Sequence, residues 1–459
     1  MRSKRTFSTS TISPRSGTVK PRTQLAAAAL AMLALAIGCP NAAPPVARST
    51  TAARADRAAR PTYAFQNGHW FDGQSFRDRV FYSVDGVLTE HAPAAVDKTV
   101  DLAGGYVVPP FADAHNHYIA GPNRIDAILH EYLKDGIFYA KNPASIRRDT
   151  QKIAHLVNKP DSVDVVFANA GITATGGHPV RLYEQTLRKV KTPGPDGTFE
   201  NLGYIILDDD ADLAKKWPMI LADGPDFLKV HLLYSEDFDK LRVDPAAYGN
   251  RGMDPSFLPR VVAKAHEAHL RVSCHIETAA DFRNALAADV DEINHLPGYF
   301  AENPRLERFV ITRDDAALAA RKHTVVVTTT YVSTAEIKDP KELAINREVQ
   351  VKNLRTLHDA HVEIALGPDV YGVTALAEAM NVHELGVFDN LTLLKMWSES
   401  SARTIFPARK IGRLAEGYEA SFLVLGGDPI ARFEHVKDIR LRFKQGAFIT
   451  LAAREQTAQ

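Results

Sequence analysis

Through the middle of the chain, short runs of β-branched and aromatic residues alternate with longer stretches whose apolar residues recur every third or fourth position. The short runs cover 106–112, 136–140, 163–170, 227–232, 270–275, 291–295, 324–329 and 362–366. Between most of them lie amphipathic stretches at 146–158, 258–268, 278–288, 314–322 and 345–360. A two-residue period fits a strand and a period near 3.6 fits a helix. Strand and helix in regular alternation predict an α/β fold with a parallel sheet, and these eight units predict a distorted (β/α)8 TIM barrel over 109–407. An open doubly wound sheet is the competing arrangement, but no G-x-G-x-x-G loop follows an early strand.

On either side the pattern changes. Residues 61–108 carry Asn67-Gly68, Asp72-Gly73 and Asp85-Gly86 between apolar stretches, the mark of tight hairpins. Residues 408–452 repeat that style, so the two pieces predict a small β-sandwich domain built from both chain ends.

Residues 1–55 contain no acid. Six basic residues precede the uncharged run 25–38, which is shorter than the ~20 residues a bilayer span requires. This is the layout of a secretory signal peptide at 1–39, followed by a linker at 40–60. It predicts an exported protein, periplasmic or lipid-anchored in the cell envelope. Cys39, behind Ala36, Ile37 and Gly38, resembles a lipoprotein processing site, and a lipid anchor there is the one membrane attachment expected.

The whole chain balances 55 basic against 55 acidic residues, and removal of 1–39 leaves 49 against 55. A nucleic-acid binder would be strongly basic, so the expected partner is a small-molecule substrate. Two cysteines exclude a disulfide framework, and Cys274, inside an apolar run, reads as a packed side chain. Nothing in the pattern sets an oligomeric state, and a homo-oligomer stays open.

The candidate chemistry gathers at one end of the predicted strands. His115 and His117 stand two apart after the first, so both imidazoles point the same way, into the mouth where barrel active sites lie. Lys229 sits inside the apolar run 227–233, where lysine is rare without a partner. An ammonium would repel a neighbouring cation, whereas reaction with CO2 makes it a carbamate, an oxygen ligand able to bridge two ions; a snorkelling lysine is the plain alternative. His275 and His295 end the fifth and sixth runs, and Asp369 follows the eighth. Any one of these histidines alone reads as a packed core residue. His231 shares the face of Lys229 and either ligates or lines the pocket. Glu378 and His383 fall on a helical stretch and read as packing or surface residues, and the acidic run 208–212 reads as a solvated helix start.

Together with the stretches 104–117 and 411–425, these residues resemble the metal-dependent amidohydrolase superfamily, in particular its carboxylated-lysine members, the imidazolonepropionase- and prolidase-like relatives. The resemblance implies a divalent metal centre, two Zn2+ by the usual pattern, though Mn2+, Co2+ or Ni2+ suit the same donors. It puts His115, His117 and Asp369 on one ion and His275 and His295 on the other, with carboxylated Lys229 between them. Segments like 171–179 occur in dipeptidase-like and carboxypeptidase-like relatives, which makes His178 a candidate to polarise a substrate carbonyl and Tyr234 a candidate substrate contact. Tyr371 and Arg181 rank below them. Ser421 stands where relatives commonly have Asp.

The reaction expected of this set is metal-dependent hydrolysis of an amide C–N bond in a dipeptide, an N-acyl amino acid or a cyclic amide. An activated water attacks the carbonyl, and Asp369 shuttles its proton to the leaving nitrogen. An esterase or lactonase using the same centre is the alternative within enzymes. A ligand-binding lipoprotein on a dead barrel would be expected to have lost a ligand, yet all six positions are filled.

Overall fold

The computed structural model describes residues 60–300 and 306–451; the signal peptide, Cys39 and nearly all of the linker lie outside the described residues. In chain order the first strands are β1 (Tyr63–Phe71), β2 (Phe76–Val84), β3 (Val87–Thr89), β4 (Lys98–Val108), β5 (Phe111–Asp113), β6 (Ile137–Asn142), β7 (Asp164–Phe167), β8 (Gly171–Thr173) and β9 (Tyr204–Ile206). They continue as β10 (Leu228–His231), β11 (Val272–His275), β12 (Glu292–Asn294), β13 (Val325–Val327), β14 (Ile364–Ala365), β15 (Phe422–Leu425), β16 (Ile439–Lys444) and β17 (Ala447–Phe448).

Both chain ends meet in one seven-stranded sheet, ordered β17-β16-β15-β4-β1-β2-β3. The Asp-Gly signal works as expected: Asp85 and Gly86 both take positive φ (51° and 78°), which turns β2 tightly into β3. Packing explains why the ends need each other. Phe65 of β1 stands edge-on to Phe422 of β15 at 4.9 Å and to Phe443 of β16 at 5.0 Å. Such contacts add about 0.5–1.5 kcal/mol each beyond area burial.

The expected α/β fold with parallel strands is borne out. One sheet runs β14-β13-β12-β11-β10-β8-β9 and another β5-β6-β7, and every pairing recorded in both is parallel. The central strands β10, β11, β12 and β13 are buried along their whole length, on both faces. Backbone bonds link the two sheets. Ala114 N–H donates to the Leu366 carbonyl (2.8 Å) on one side, and Asp226 N–H to the Phe167 carbonyl (2.9 Å) on the other.

Helices return the chain between strands. Thr278 and Thr312 open the helices Ala279–Ala287 and Arg313–Lys322 with reciprocal caps to Asp281 and Asp315. The helix expected over 146–158 is shorter, Arg147–Ile153. Asn158 takes φ 59°, and its N–H already bonds the Val163 carbonyl, so the chain turns toward β7 before the stretch is used up. Asp209 caps the helix Asp210–Ala222, as the acidic run suggested. Among the described residues no helix is long and apolar enough to cross a membrane.

Candidate metal centre

The carboxyl ends of the parallel strands carry nearly all the polar chemistry. His231 is the last residue of β10 and lies opposite His275, the last of β11. His295 follows β12, His115 and His117 follow β5, Asp369 follows β14 and His178 follows β8. The rings form a continuous chain. His115 lies 5.5 Å from His117 and 4.8 Å from His295; His295 lies 4.4 Å from His275; His275 stacks on His178 at 4.8 Å. His231 is 5.5 Å from both His275 and His178.

Ligand atoms of His115, His117 and Asp369 all lie within 4.8 Å of one another. Asp369 Oδ1 is 3.1 Å from His117 Nε2 and 3.5 Å from His115 Nε2, while its Oδ2 is 3.8 Å from His295 Nδ1. Close approach is built into the backbone. A Cβ on Gly367 would stand 2.4 Å from the His115 nitrogen, and one on Gly171 would stand 2.6 Å from His231 Cε1, so only glycine lets these rings in. His295 and Asp369 themselves adopt left-handed backbone (φ 76° and 49°), a conformation that costs of order 1–3 kcal/mol and collects at functional sites. Asp369 is held there by its N–H, which donates to the His115 carbonyl at 3.1 Å.

Burial makes the imidazoles good donors. It drives His115 and His275 down to about 3 and holds His178, His231 and His295 well below the ordinary value, so all five are neutral at physiological pH. Burial alone would raise Asp369, but the adjoining His115 and His117 override it and keep the carboxyl well below its usual range. Lys229 is lowered to about 7, chiefly by burial, with Asp369 opposing.

The neighbours of each ring fix which nitrogen is free. His117 Nδ1 donates to the Ala144 carbonyl at 3.1 Å, which turns its Nε2 toward Asp369, and His231 Nδ1 donates to the Ile172 carbonyl at 2.9 Å, leaving its Nε2 as a lone pair. His117 Nε2 faces Asp369 Oδ1 at 3.1 Å. His115 Nδ1 is buried without a partner. A cation among His115 Nε2, His117 Nε2 and Asp369 would take one ligand atom from each, so the donor set fits a divalent metal.

Several residues at the site carried no readable signal. Tyr299 stacks on His295 at 4.5 Å and donates its hydroxyl to Glu277 (2.8 Å), whose carboxylate lies 3.3 Å from His275 Nε2. Thr329 Oγ1 lies 2.8 Å from His295 Nδ1. Only Glu277, two beyond His275, had a spacing that pointed to it. Tyr234 lies three residues past His231 with left-handed backbone (φ 53°), its ring 5.3 Å from the Arg308 guanidinium. Glu378 is a packing residue: fully buried, it accepts from Thr328, Thr330 and Tyr331. A cavity of about 490 Å³ opens beside His117, lined also by Tyr371, Tyr118, Ile128, Leu187 and Lys191. A larger groove of about 1030 Å³ runs between outer helices, lined by Arg347, Glu348 and Arg355, and includes none of these histidines.

The amidohydrolase family model matches residues 236–448, which include His275, His295 and Asp369. No curated protein matches the chain. Among solved structures it is similar to an amidohydrolase (19% identity, 86% of this chain and 100% of that one, TM-score 0.66) and to the ochratoxinase of A. niger (18%, 85% and 96%, 0.67). It is also similar to a prolidase complexed with N-methylphosphonate-L-proline (19%, 84% and 99%, 0.64). At these identities the structures speak for the fold. The amidohydrolase resemblance read from the sequence is borne out, and the protein is an enzyme of the kind that hydrolyses C–N bonds.

Proposed function

We propose that the protein is an exported, metal-dependent amidohydrolase whose parallel strands close into a (β/α)8 barrel, with the two chain ends as a separate β domain. Its substrate is an amide such as a dipeptide, an N-acyl amino acid or a cyclic amide. The neighbours named as a prolidase, an ochratoxinase and a Xaa-Pro dipeptidase support that range. One observation carries the metal reading: His117 Nε2, its other nitrogen already donating, faces the Asp369 carboxylate at 3.1 Å.

His115, His117 and Asp369 would hold one cation, His275 and His295 a second, and Lys229 would bridge them as a CO2-derived carbamate. When bound, such ions supply an acidified water and a polarised carbonyl at neutral pH. The chain's own residues do the rest. Asp369, ionised and one-fifth exposed, takes the water's proton on a carboxylate oxygen and delivers it to the departing nitrogen. His178, stacked on His275 and neutral, donates a ring N–H to the carbonyl oxygen as charge builds there. His231, anchored through Nδ1, orients the substrate with Nε2.

The test is an assay of dipeptides, N-acyl amino acids, cyclic imides and lactones with zinc-loaded and chelator-stripped protein. Amide turnover that disappears with the metal and returns with zinc is expected. Lactone turnover alone would mark an esterase instead, and turnover of none would overturn the assignment.

A further inference from the structure

We infer that Asn294 selects the carboxylated form of Lys229 over its ammonium form, acting as a positioning residue through one fixed hydrogen-bond acceptor. The inference rests on the reading above, in which Lys229 carries a carbamate.

Lys229 is 2% exposed, and its Nζ donates to Asn294 Oδ1. Among the described residues this is the acceptor it has, and it forms no ion pair. An ammonium brings three N–H donors to that site and leaves two without partners in a dry interior, which is costly. A carbamate nitrogen brings one N–H, and one acceptor matches it.

The acceptor cannot turn away. Asn294 is fully buried and donates Nδ2 to Glu292 Oε1 at 2.7 Å, so its oxygen must face Lys229. Glu292 is itself saturated. Both its oxygens lie 2.9 Å from Lys141 Nζ, Ser273 Oγ donates to Oε1 (2.9 Å), and Thr404 Oγ1 donates to Oε2 (2.6 Å). An amide that flipped would set its NH2 against the lysine and its oxygen against a carboxylate.

In the step itself, the neutral Lys229 amine attacks the carbon of CO2. An N–C bond forms as one C–O π pair moves onto oxygen. One N–H proton leaves to solvent, and the other stays on the nitrogen, donated to Asn294 Oδ1. A neutral acceptor suits the product, because a carboxylate in its place would repel the new anion and favour the cation.

The experiment titrates the full-length protein with 13C-bicarbonate in the presence of zinc, reading the carbamate signal by 13C NMR together with zinc stoichiometry. N294D, which is isosteric, and N294L, which lacks the acceptor, should each raise the half-saturating bicarbonate concentration by at least about tenfold, the size expected for one buried hydrogen bond. T404V, which loosens Glu292 alone, should stay within about twofold of wild type. A merely structural role for Asn294 would lower the maximum signal without moving the midpoint, and that result overturns the inference. If N294L does not fold, N294D decides. Wild-type protein with no carbamate signal at any bicarbonate concentration would instead refute the carboxylated-lysine reading itself.

Discussion

Two polar clusters share the same strands, one above the other, and differ in how they are satisfied. Beneath lies Lys141 with Glu292, Ser273, Asn294 and Thr404, all essentially inaccessible to solvent. There every donor finds an acceptor: Lys141 Nζ reaches Ser273 Oγ and both Glu292 oxygens, each at 2.9 Å. Above, His115, His117 and His295 crowd one carboxylate, Asp369, and His115 Nδ1 has no partner. Alternation along each strand produces the pairing, since Ser273 and His275, and Lys229 and His231, are two apart. A saturated cluster holds a fold together, whereas imidazoles gathered on one carboxylate are suited to share a cation.

The sharpest way to break this contrast is to change each cluster's central charge. Asp369→Asn should lower turnover by about 10²–10⁴-fold, the range of a lost acid–base group, while the thermal midpoint stays close to wild type. A near wild-type rate would remove Asp369 from the chemistry. Lys141→Met should do the reverse, costing about 3–5 kcal/mol of stability because it strands Glu292 as a buried unpaired charge. Urea denaturation would show it, and a loss under about 1 kcal/mol would mean the lower cluster is not the structural one.

A pH titration sharpens the same point with a smaller effect. Burial alone would raise Glu292, but Lys141 and Arg271 beside it hold the carboxyl at about 2. Burial likewise lowers Lys141, with Glu292 opposing. A folded value below the unfolded one stabilises fully above about pH 4.3 and is lost as pH falls toward 2. Wild type should therefore lose roughly 2 kcal/mol more than E292Q over that window. Parallel stability curves for the two proteins would count against the pair.

The parts of this arrangement differ in how readable they were. Periodicity placed most of the parallel strands that support the site, because strands buried on both faces leave unbroken apolar runs. It missed β8 (Gly171–Thr173) and β9 (Tyr204–Ile206), each three residues long and too short to show a period. His115, His117, Lys229, His275, His295 and Asp369 stood out because each interrupts or ends such a run with a polar group. Asn294, Glu292 and Lys141 did not, although they too lie in strands. Their roles depend on which side chains meet across neighbouring strands, and a linear pattern says nothing of partners 132 or 151 positions apart. Tyr299 lies in a loop, where local sequence carries no period, and Thr329 ends the run 324–329 two residues past β13.

The pairing of β15 with β4 has a consequence for biogenesis. The exposed edge of β4 leaves the ribosome early, while the segment that covers it is made near the end of translation. At ordinary elongation rates that edge waits on the order of tens of seconds for its mate. Throughout that interval it is open to chaperones and to the same edge on a neighbouring nascent chain, so deletions that remove the last strands should favour aggregation before they touch chemistry.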